Sequence, residues 1–569
     1  MSHGHPFPHD AAHLHVTGAA RYLDDLPCPA NCLHLAFGLS SIASGQITGL
    51  GLDQVRAHEG VIAVLTTEDL PFSNDVSPAA GDEPLLSEGR VHYSGQPIFL
   101  VIATSHLSAR KAARLAKVTY EEHDAILSID QALAANSRFE DGPRIYQKGD
   151  PSAAIAQAAH KIQGEIVIGG QEHFYLEGQA ALALPQDDQE MVVHSSTQHP
   201  SEIQHKVADA LGLHMQDVRV EVRRMGGAFG GKESQGNALA VACAIAARHT
   251  GRPCKMRYDR DDDMMITGKR HDFRISYQAG FDAEGRISGV TFVQYARCGW
   301  AQDLSLPVAD RAMLHADNAY HLPHCRIESH RLKTNTQSAT AFRGFGGPQG
   351  MLGIERVLDH IAHYLKQDAL DIRRRNFYAD MAVTPHSSAR SENAQTTPYG
   401  MPVTDFILHQ LTDQLAKTSQ YSDRKAAIKT WNTQNPILKR GIALTPVKFG
   451  ISFTLSHLNQ AGALVHLYQD GSIRINHGGT EMGQGLFQKL AQVAAFEFGV
   501  DMQQIKITAT DTAKVPNTSA TAASSGSDLN GMAIKRACEQ ITARISGFVK
   551  QYFQKPDAIV DFENNHISV

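Results

Sequence analysis

Residues 211–233 read LGLHMQDVRVEVRRMGGAFGGKE, a helix end, a strand and a glycine loop in one run. Ile203, Val207 and Leu211 recur at helical spacing, and Gly212 closes that helix. The alternation in VRVEV (218–222) predicts a strand with one face buried. A second stretch, FGVDMQQIKITA (498–509), repeats the order. HSSTQ (194–198) leads into the first helix, and HGGTE (477–481) leads into a second carrying Leu486, Leu490 and Val493 and closed by Gly499. IKI (505–507) matches VRVEV, and TSATAASSGS (518–527) stands where GGAFGGKES stands. Self-similarity at this separation predicts two lobes built on one supersecondary plan. After the first unit come a helix (235–248), a strand near CKMRY (254–258) and more than a hundred further residues. The helix that follows the second unit, 530–554, precedes only KPDAIVDFENNHISV. The second lobe is therefore expected to be incomplete.

Residues 30–125 read as a compact α/β unit. Leu33, Leu35, Phe37 and Leu39 alternate as in a half-buried strand, while GVIAVLT (60–66) and PIFLVIA (97–103) suit buried strands. Ser105 caps a helix through Ala116, and VTYEE (118–122) returns as a strand. The expected fold class is α/β (α+β). The expected layout is a leader (1–16), an N-terminal domain (17–125), a connection (126–146), a first lobe (147–400) and the first part of a second lobe (401–569).

Across the 569 residues, hydrophobic residues make up 42% and charged residues 20%, with a formal net charge of −6. This is ordinary globular composition, with no basic run to suggest nucleic acid and no apolar run long enough to span a bilayer. The N-terminus MSHGHPFPHDAAHLH lacks the basic-then-apolar layout of a signal peptide, which leaves a cytoplasmic protein as the expectation. Seven cysteines without a C-x-x-C pair argue against a disulfide framework, a zinc ribbon or an iron–sulfur cluster in this chain. His3, His5, His9, His13 and His15 read as a solvated leader, since no cysteine or carboxylate spacing supports a metal site there.

GGAFGGKE (226–233) has the frame of a P-loop, but Glu233 stands where a magnesium-binding hydroxyl belongs, and a carboxylate there would repel a triphosphate. Three more small-residue loops follow: GFGGPQG (344–350), GGTEMGQG (478–485) and TAASSGS (521–527). None has dinucleotide spacing. Pro348 suits a first helical turn, and Ile354, Val357, Leu358, Ile361 and Leu365 continue that helix. Four such loops on two related lobes could enclose one extended polar cofactor through backbone contacts; the pattern does not specify which.

Several long motifs stand in a fixed order: PHDAAHLHVTGAARYLDDLP, GGQEHFYLEGQ, STQ, RRMGGAFGGKES, RAMLHADNAY, TAFRGFGGPQG, KFGISFT, LNQAGALVH, HGGTEMGQGL and KVPNTSATAAS. Together they resemble the molybdenum-binding large subunits of the xanthine dehydrogenase and aldehyde oxidase family, almost end to end. The resemblance implies a hammerhead-like N-terminal domain and two molybdopterin-binding lobes. It implies a molybdenum ion with oxo, sulfido and hydroxyl-type ligands, held by the dithiolene of a pterin.

By motif, Phe229 and Gly230 would approach the metal group, the glycine being required because a Cβ would collide there. Gln198 would hydrogen-bond an oxo ligand, and Arg343, Gln484 and Ala523 fall in the cofactor loops. Glu233 would face a purine ring nitrogen, and Arg311 would stabilise charge on the purine oxygen. Phe345 and Phe453 would sandwich the heterocycle, with Thr454 in contact.

The implied reaction is xanthine dehydrogenase chemistry: hydroxylation of hypoxanthine and xanthine to urate, with water as oxygen source and electrons passed to 2Fe-2S and FAD centres. An aldehyde-oxidising enzyme and a non-catalytic cofactor-binding subunit are the alternatives. The family's general base is a glutamate in a G-E-P-P-like segment, and none of Asp528, Glu539, Asp557, Asp561 or Glu563 stands in one. The expected particle therefore contains an iron–sulfur/FAD subunit and a separate chain completing the second lobe and supplying that glutamate, as a dimer of heterotrimers.

Overall fold

The computed structural model describes residues 7–379, 395–454, 456–515 and 517–569; His3, His5 and residues 380–394 of the first lobe lie outside the described residues. Its centre is an eight-stranded sheet in the order Thr510–Asp511, Val218–Val222, Met191–Ser195, Ala180–Pro185, Cys254–Arg257, Leu33–Leu39, Pro97–Ala103, Val61–Leu65. Leu33 pairs in parallel with Cys254, so one sheet crosses from the N-terminal domain into the first lobe. That continuity alters the expected alternation in Leu33–Leu39. Leu33, Leu35 and Phe37 join the core beneath the first-lobe helices, and Ala36 packs with Phe99, Val101, Ala109 and Ala112 on the opposite face. With both faces covered, Phe99 through Ile102 are at most 1% exposed, and burial of each large apolar side chain stabilises the fold by about 1.5–3 kcal/mol.

Ser105 caps His106–Ala113 by accepting a bond from the Ser108 N–H, and the helix stops there, three residues short of Ala116. The stretch 126–146, expected to be bare connection, carries structure. Ser128 caps the helix Ile129–Ala134, and Arg144–Lys148 becomes the edge of a five-stranded sheet with Cys325–Lys333, Ile287–Gly299, Asp272–Phe281 and His160–Ile168. The helix Gly347–Leu365 lies on that sheet through Ile354, Val357, Leu358 and Ile361.

The internal repeat is reproduced strand for strand. In the first lobe Met191–Ser195 lies antiparallel to Ala180–Pro185 and parallel to Val218–Val222, with Met191 opposite Val218. In the second, Ile473–His477 lies antiparallel to Ala463–Leu467 and parallel to Ile505–Ile507, with Ile473 opposite Ile505. Cys254–Arg257 covers the outer edge of Ala180–Pro185. Among the described residues no strand covers the equivalent edge of Ala463–Leu467, and the hairpin Asp561–Glu563/His566–Ser568 pairs only with itself. The lobes meet where Thr510–Asp511 pairs with Glu221–Val222, reinforced by an Arg219–Asp511 ion pair at 2.7 Å. This junction turns the loops of the two lobes toward each other.

His9 of the leader rests 3.5 Å from Glu481 in the 478–485 loop. Asp259, Asp261 and Asp262 are the one set of three ligand-type side chains grouped within reach of a single ion among the described residues, and Arg110 pairs with all three. No helix among the described residues is long and apolar enough to cross a membrane.

Candidate active site: a cleft between the two lobes

Nine of the eleven site residues expected from sequence line one cleft of about 580 Å³: Gln198, Phe229, Gly230, Glu233, Arg311, Arg343, Phe345, Gln484 and Ala523. Phe453 and Thr454 do not line it; Phe449 does. All four small-residue loops contribute to the walls.

The backbone around this cleft is strained. Phe229, Phe345, Ala523 and Ser524 have φ of 56°, 50°, 55° and 56°, in the left-handed region that costs an L-residue about 1–2 kcal/mol. Such residues persist where their surroundings fix them, and they gather at functional sites. Here the Arg343 N–H donates to the Phe229 carbonyl (2.8 Å), and the Ser452 N–H donates to the Ala523 carbonyl (2.8 Å). Gly230 sits at φ +101°, and a Cβ there would lie 2.8 Å from the Ala341 carbonyl oxygen. The approaching backbone of Ala341–Phe342 by itself excludes a side chain at this position. Gly346 and Gly350 act similarly, since a Cβ on either would strike the carbonyls of Val308 and Ala312. They seat the helix Ser305–Leu314, and with it Arg311, against Gly347–Leu365.

Gln198 fastens the two lobes together. Its Oε1 accepts from the N–H groups of Gly230 (3.0 Å) and Lys232 (3.4 Å), and its Nε2 donates to the Thr521 carbonyl (3.0 Å). In this structure the amide therefore organises loops from both lobes.

Lys232, the P-loop lysine by position, is turned away from the cleft and is fully buried. Its Nζ donates to the Glu177 carbonyl (2.9 Å) and pairs with the Glu177 carboxylate (3.2 Å), which also accepts the Gly226 N–H (2.7 Å). The pair clamps the base of the loop, and sequence reading passed over both residues. Removing one partner of a buried pair leaves the other charge uncompensated, so Lys232→Ala lowers the free energy of unfolding by about 3–5 kcal/mol. Denaturant titration measures this, with Lys232→Met/Glu177→Gln recovering most of the loss.

Glu233 is buried, and its pKa is pushed up to about 8, first by desolvation and then by the nearby carboxyls of Asp303 and Glu202, against a smaller pull from Arg311. A carboxyl raised in this way holds its proton to higher pH than an exposed one, and while it holds it can donate as well as accept. Burial lowers the pKa of Arg311, while Glu233 opposes that shift. The Arg311 guanidinium donates to the carbonyls of Gly450 and Ser452 and lies 5.8 Å from the Phe345 ring and 5.4 Å from that of Phe449. Those bonds fix which phenylalanine of KFGISFT reaches the cleft. Phe449 is held beside Arg311 and the His315 ring (4.9 Å), while the Phe453 N–H donates to Asn459 Oδ1 (2.8 Å) at a turn outside it.

The donor set fits a long anionic cofactor. Strained backbone on three sides, the Lys489 ammonium and the hydroxyls of Ser524 and Ser527 share one cleft with Gln198, and the start of the helix Gly526–Tyr552 opens onto it. Arg311 Nε is a buried donor with no partner among the described residues.

Comparison with known proteins agrees with this architecture. Residues 17–124 match the aldehyde oxidase and xanthine dehydrogenase a/b hammerhead domain, and residues 137–377 and 414–569 each match a molybdopterin cofactor-binding domain. The chain is 43% identical over 545 residues to xanthine dehydrogenase of Drosophila subobscura, covering 95% of this chain and 40% of that protein. It is 41% identical over 550 residues to xanthine dehydrogenase/oxidase of Mus musculus, covering 96% and 40%. It superposes with a TM-score of 0.80 and 26% identity on the aldehyde oxidoreductase from Desulfovibrio gigas, covering 94% of this chain and 59% of that one.

The chain thus spans about 40% of the length of the curated relatives it matches. This overturns the expectation of a separate iron–sulfur/FAD subunit, a separate completing chain and a dimer of heterotrimers. In those relatives the matching segment is part of one continuous polypeptide, so a shared lobe plan and missing motifs do not imply separate chains.

Proposed function

Because this chain belongs to the xanthine dehydrogenase and aldehyde oxidase family, we propose that its cleft is the cofactor and substrate site of a molybdenum hydroxylase acting on hypoxanthine and xanthine. The observation that carries the purine reading is the meeting of Glu233, Arg311 and Phe345 in the cleft that the four small-residue loops also form. A flat heterocycle with ring nitrogens and an exocyclic oxygen needs a donor–acceptor carboxyl, a cation and an apolar face, and those three residues offer them.

The loops at 226–233, 478–485 and 521–527, with Gln198 between them, would hold the pterin and its molybdenum with a sulfido ligand. When bound, that group supplies two-electron oxidation with oxygen taken from water, the electrons passing on to 2Fe-2S and FAD centres. The chain's own residues orient and polarise the substrate. The protonated Glu233 carboxyl donates to a ring nitrogen, and Arg311 stabilises negative charge on the purine oxygen, an electrostatic contribution of about 3–4 kcal/mol. Gln198, Phe229, Gly230, Arg343, Gln484 and Ala523 keep the cofactor loops in register, and the hammerhead, first-lobe and second-lobe divisions at 17–125, 147–400 and 401–569 belong to the same reading. Molybdenum and pterin analysis of the purified native protein, with assays on hypoxanthine and xanthine, tests it. The reading predicts both components and turnover of both purines; a protein with neither contradicts it.

The aromatic contacts give a further expectation. Phe449→Ala and Phe345→Ala each raise KM for xanthine by about tenfold, the size of a lost ring contact plus its burial, with molybdenum content unchanged. Phe453→Ala changes KM by less than about twofold, since its ring lies outside the cleft. Steady-state kinetics on the three variants distinguishes the two phenylalanines of KFGISFT.

A further inference from the structure

The reaction as described uses Arg311 and leaves the polar residues just after it, His315, Asp317 and Asn318, without a role. All three are buried, and all three reach one short stretch, residues 446–450, in the segment that matches the second molybdopterin cofactor-binding domain. The Asn318 amide donates to the Pro446 carbonyl (2.9 Å), and its Oδ1 accepts the Lys448 N–H (3.1 Å). The Lys448 ammonium pairs with Asp317 (2.7 Å), and the Gly450 N–H donates to His315 Nε2 (2.9 Å). Arg311 completes the row by donating to the carbonyls of Gly450 and Ser452. Residues 446–452 belong to no strand, so these side chains supply partners that its backbone would otherwise lack. Asn318 sits at φ +42°, a strained conformation for a non-glycine residue that persists only where its surroundings fix it.

The His315 ring closes a circuit on Arg311. A backbone N–H can only donate, so Nε2 accepts and the ring proton sits on Nδ1, 2.9 Å from the Arg311 carbonyl. Burial holds the pKa of His315 down to about 4, with the charges of Arg311 and Lys448 acting in the same direction and the bond to the Arg311 carbonyl opposing them. The ring is therefore neutral at neutral pH, with both nitrogens matched. One nitrogen holds the backbone of Arg311, and the other holds Gly450, whose own carbonyl holds the Arg311 guanidinium. Arg311 lines the cleft and His315 does not.

We propose that His315 is a positioning residue for Arg311, the central member of a grip (His315, Asp317, Asn318) that fixes residues 446–452 so that the Gly450 and Ser452 carbonyls aim the guanidinium. The contacts stand by themselves; the proposal rests on the purine reading above only for the substrate whose turnover it governs. A residue that merely braces the fold would slow every substrate alike, whereas one acting through Arg311 slows the substrate that Arg311 serves.

The test uses the molybdenum-loaded native protein with two substitutions. His315→Asn keeps a donor near the Nδ1 position and offers Gly450 no acceptor, while His315→Gln has a longer amide that places an oxygen near Nε2. In His315→Asn, kcat/KM for xanthine is expected to fall about tenfold, the cost of one buried bond left unmade. That loss should come from kcat more than from KM, and benzaldehyde turnover should change by less than about twofold. His315→Gln should recover most of it. In an Arg311→Met background His315→Asn should cost nothing further, because its effect passes through the guanidinium. Amide hydrogen exchange across residues 446–452, read by mass spectrometry, should quicken about tenfold in His315→Asn and return toward wild type in His315→Gln. If His315→Asn does not fold, Asn318→Gly replaces it: it removes two bonds of the same grip at a φ that glycine accepts, and should give the same selective loss. Equal losses on both substrates, a full further loss in the Arg311→Met background, or unchanged exchange overturns the proposal. Faster exchange with xanthine turnover intact in both His315→Asn and Arg311→Met supports the grip and counts against the purine reading alone.

Discussion

In Glu233→Val/Arg311→Met, kcat/KM for xanthine falls by more than about 10⁴, while turnover of a simple aromatic aldehyde falls by less than about tenfold. Arg311→Met alone accounts for about 10²–10³ of the loss, the usual cost of removing one preorganised donor from a developing oxyanion. Glu233→Val removes a buried carboxyl from the wall of the cleft. The asymmetry arises because a site built to hydrogen-bond a ring nitrogen and an oxygen is left with unmet polar groups when either side lacks its partner. An aldehyde makes neither contact and should respond mainly to the altered shape. Steady-state kinetics on both substrates provides the check. Equal losses would mean that the two residues act on the fold or the cofactor.

The second large effect concerns assembly. Gln198→Ala strips a partner from the Gly230 and Lys232 N–H groups and from the Thr521 carbonyl, on loops from two lobes. Each buried group left unmatched costs about 1–3 kcal/mol. A combined loss near 4 kcal/mol corresponds to several powers of ten in an equilibrium constant, at about 1.4 kcal/mol per factor of ten. Gln198→Ala should therefore purify with less than about a tenth of the wild-type molybdenum content and a lower Tm. Gln198→Glu keeps the acceptor toward Gly230 and Lys232 but sets a carboxylate oxygen against the Thr521 carbonyl, so it should recover only part of the loss. Metal analysis alongside thermal unfolding separates loss of cofactor from loss of fold.

Local chemistry made much of this legible in the sequence. Gly212 and Gly499 close their helices at φ +63° and +62°, where a glycine pattern placed them, and VRVEV and IKI form the equivalent strands of the two lobes. The small-residue loops were visible because left-handed turns and close backbone approaches leave few residue choices. What escaped was set by distant partners. The parallel pairing of Leu33 with Cys254 joins residues far apart in the chain and leaves no local signature. Phe449 faces the cleft, in place of Phe453, because Arg311 binds backbone carbonyls at 450 and 452, and carbonyls carry no sequence identity. Lys232 stands at the lysine position of a P-loop frame and Glu177 within GGQEHFYLEGQ, and neither motif reveals that the fold buries the two against each other.

A crystal structure of the molybdenum-loaded native protein with a slowly oxidised purine bound decides whether this cleft is the purine site. The purine is expected in the cleft between the lobes, with the Glu233 carboxyl on a ring nitrogen, the Arg311 guanidinium on its oxygen and the Phe345 and Phe449 rings packed against it. A purine bound elsewhere, or in this cleft without contact to Glu233 and Arg311, would contradict it.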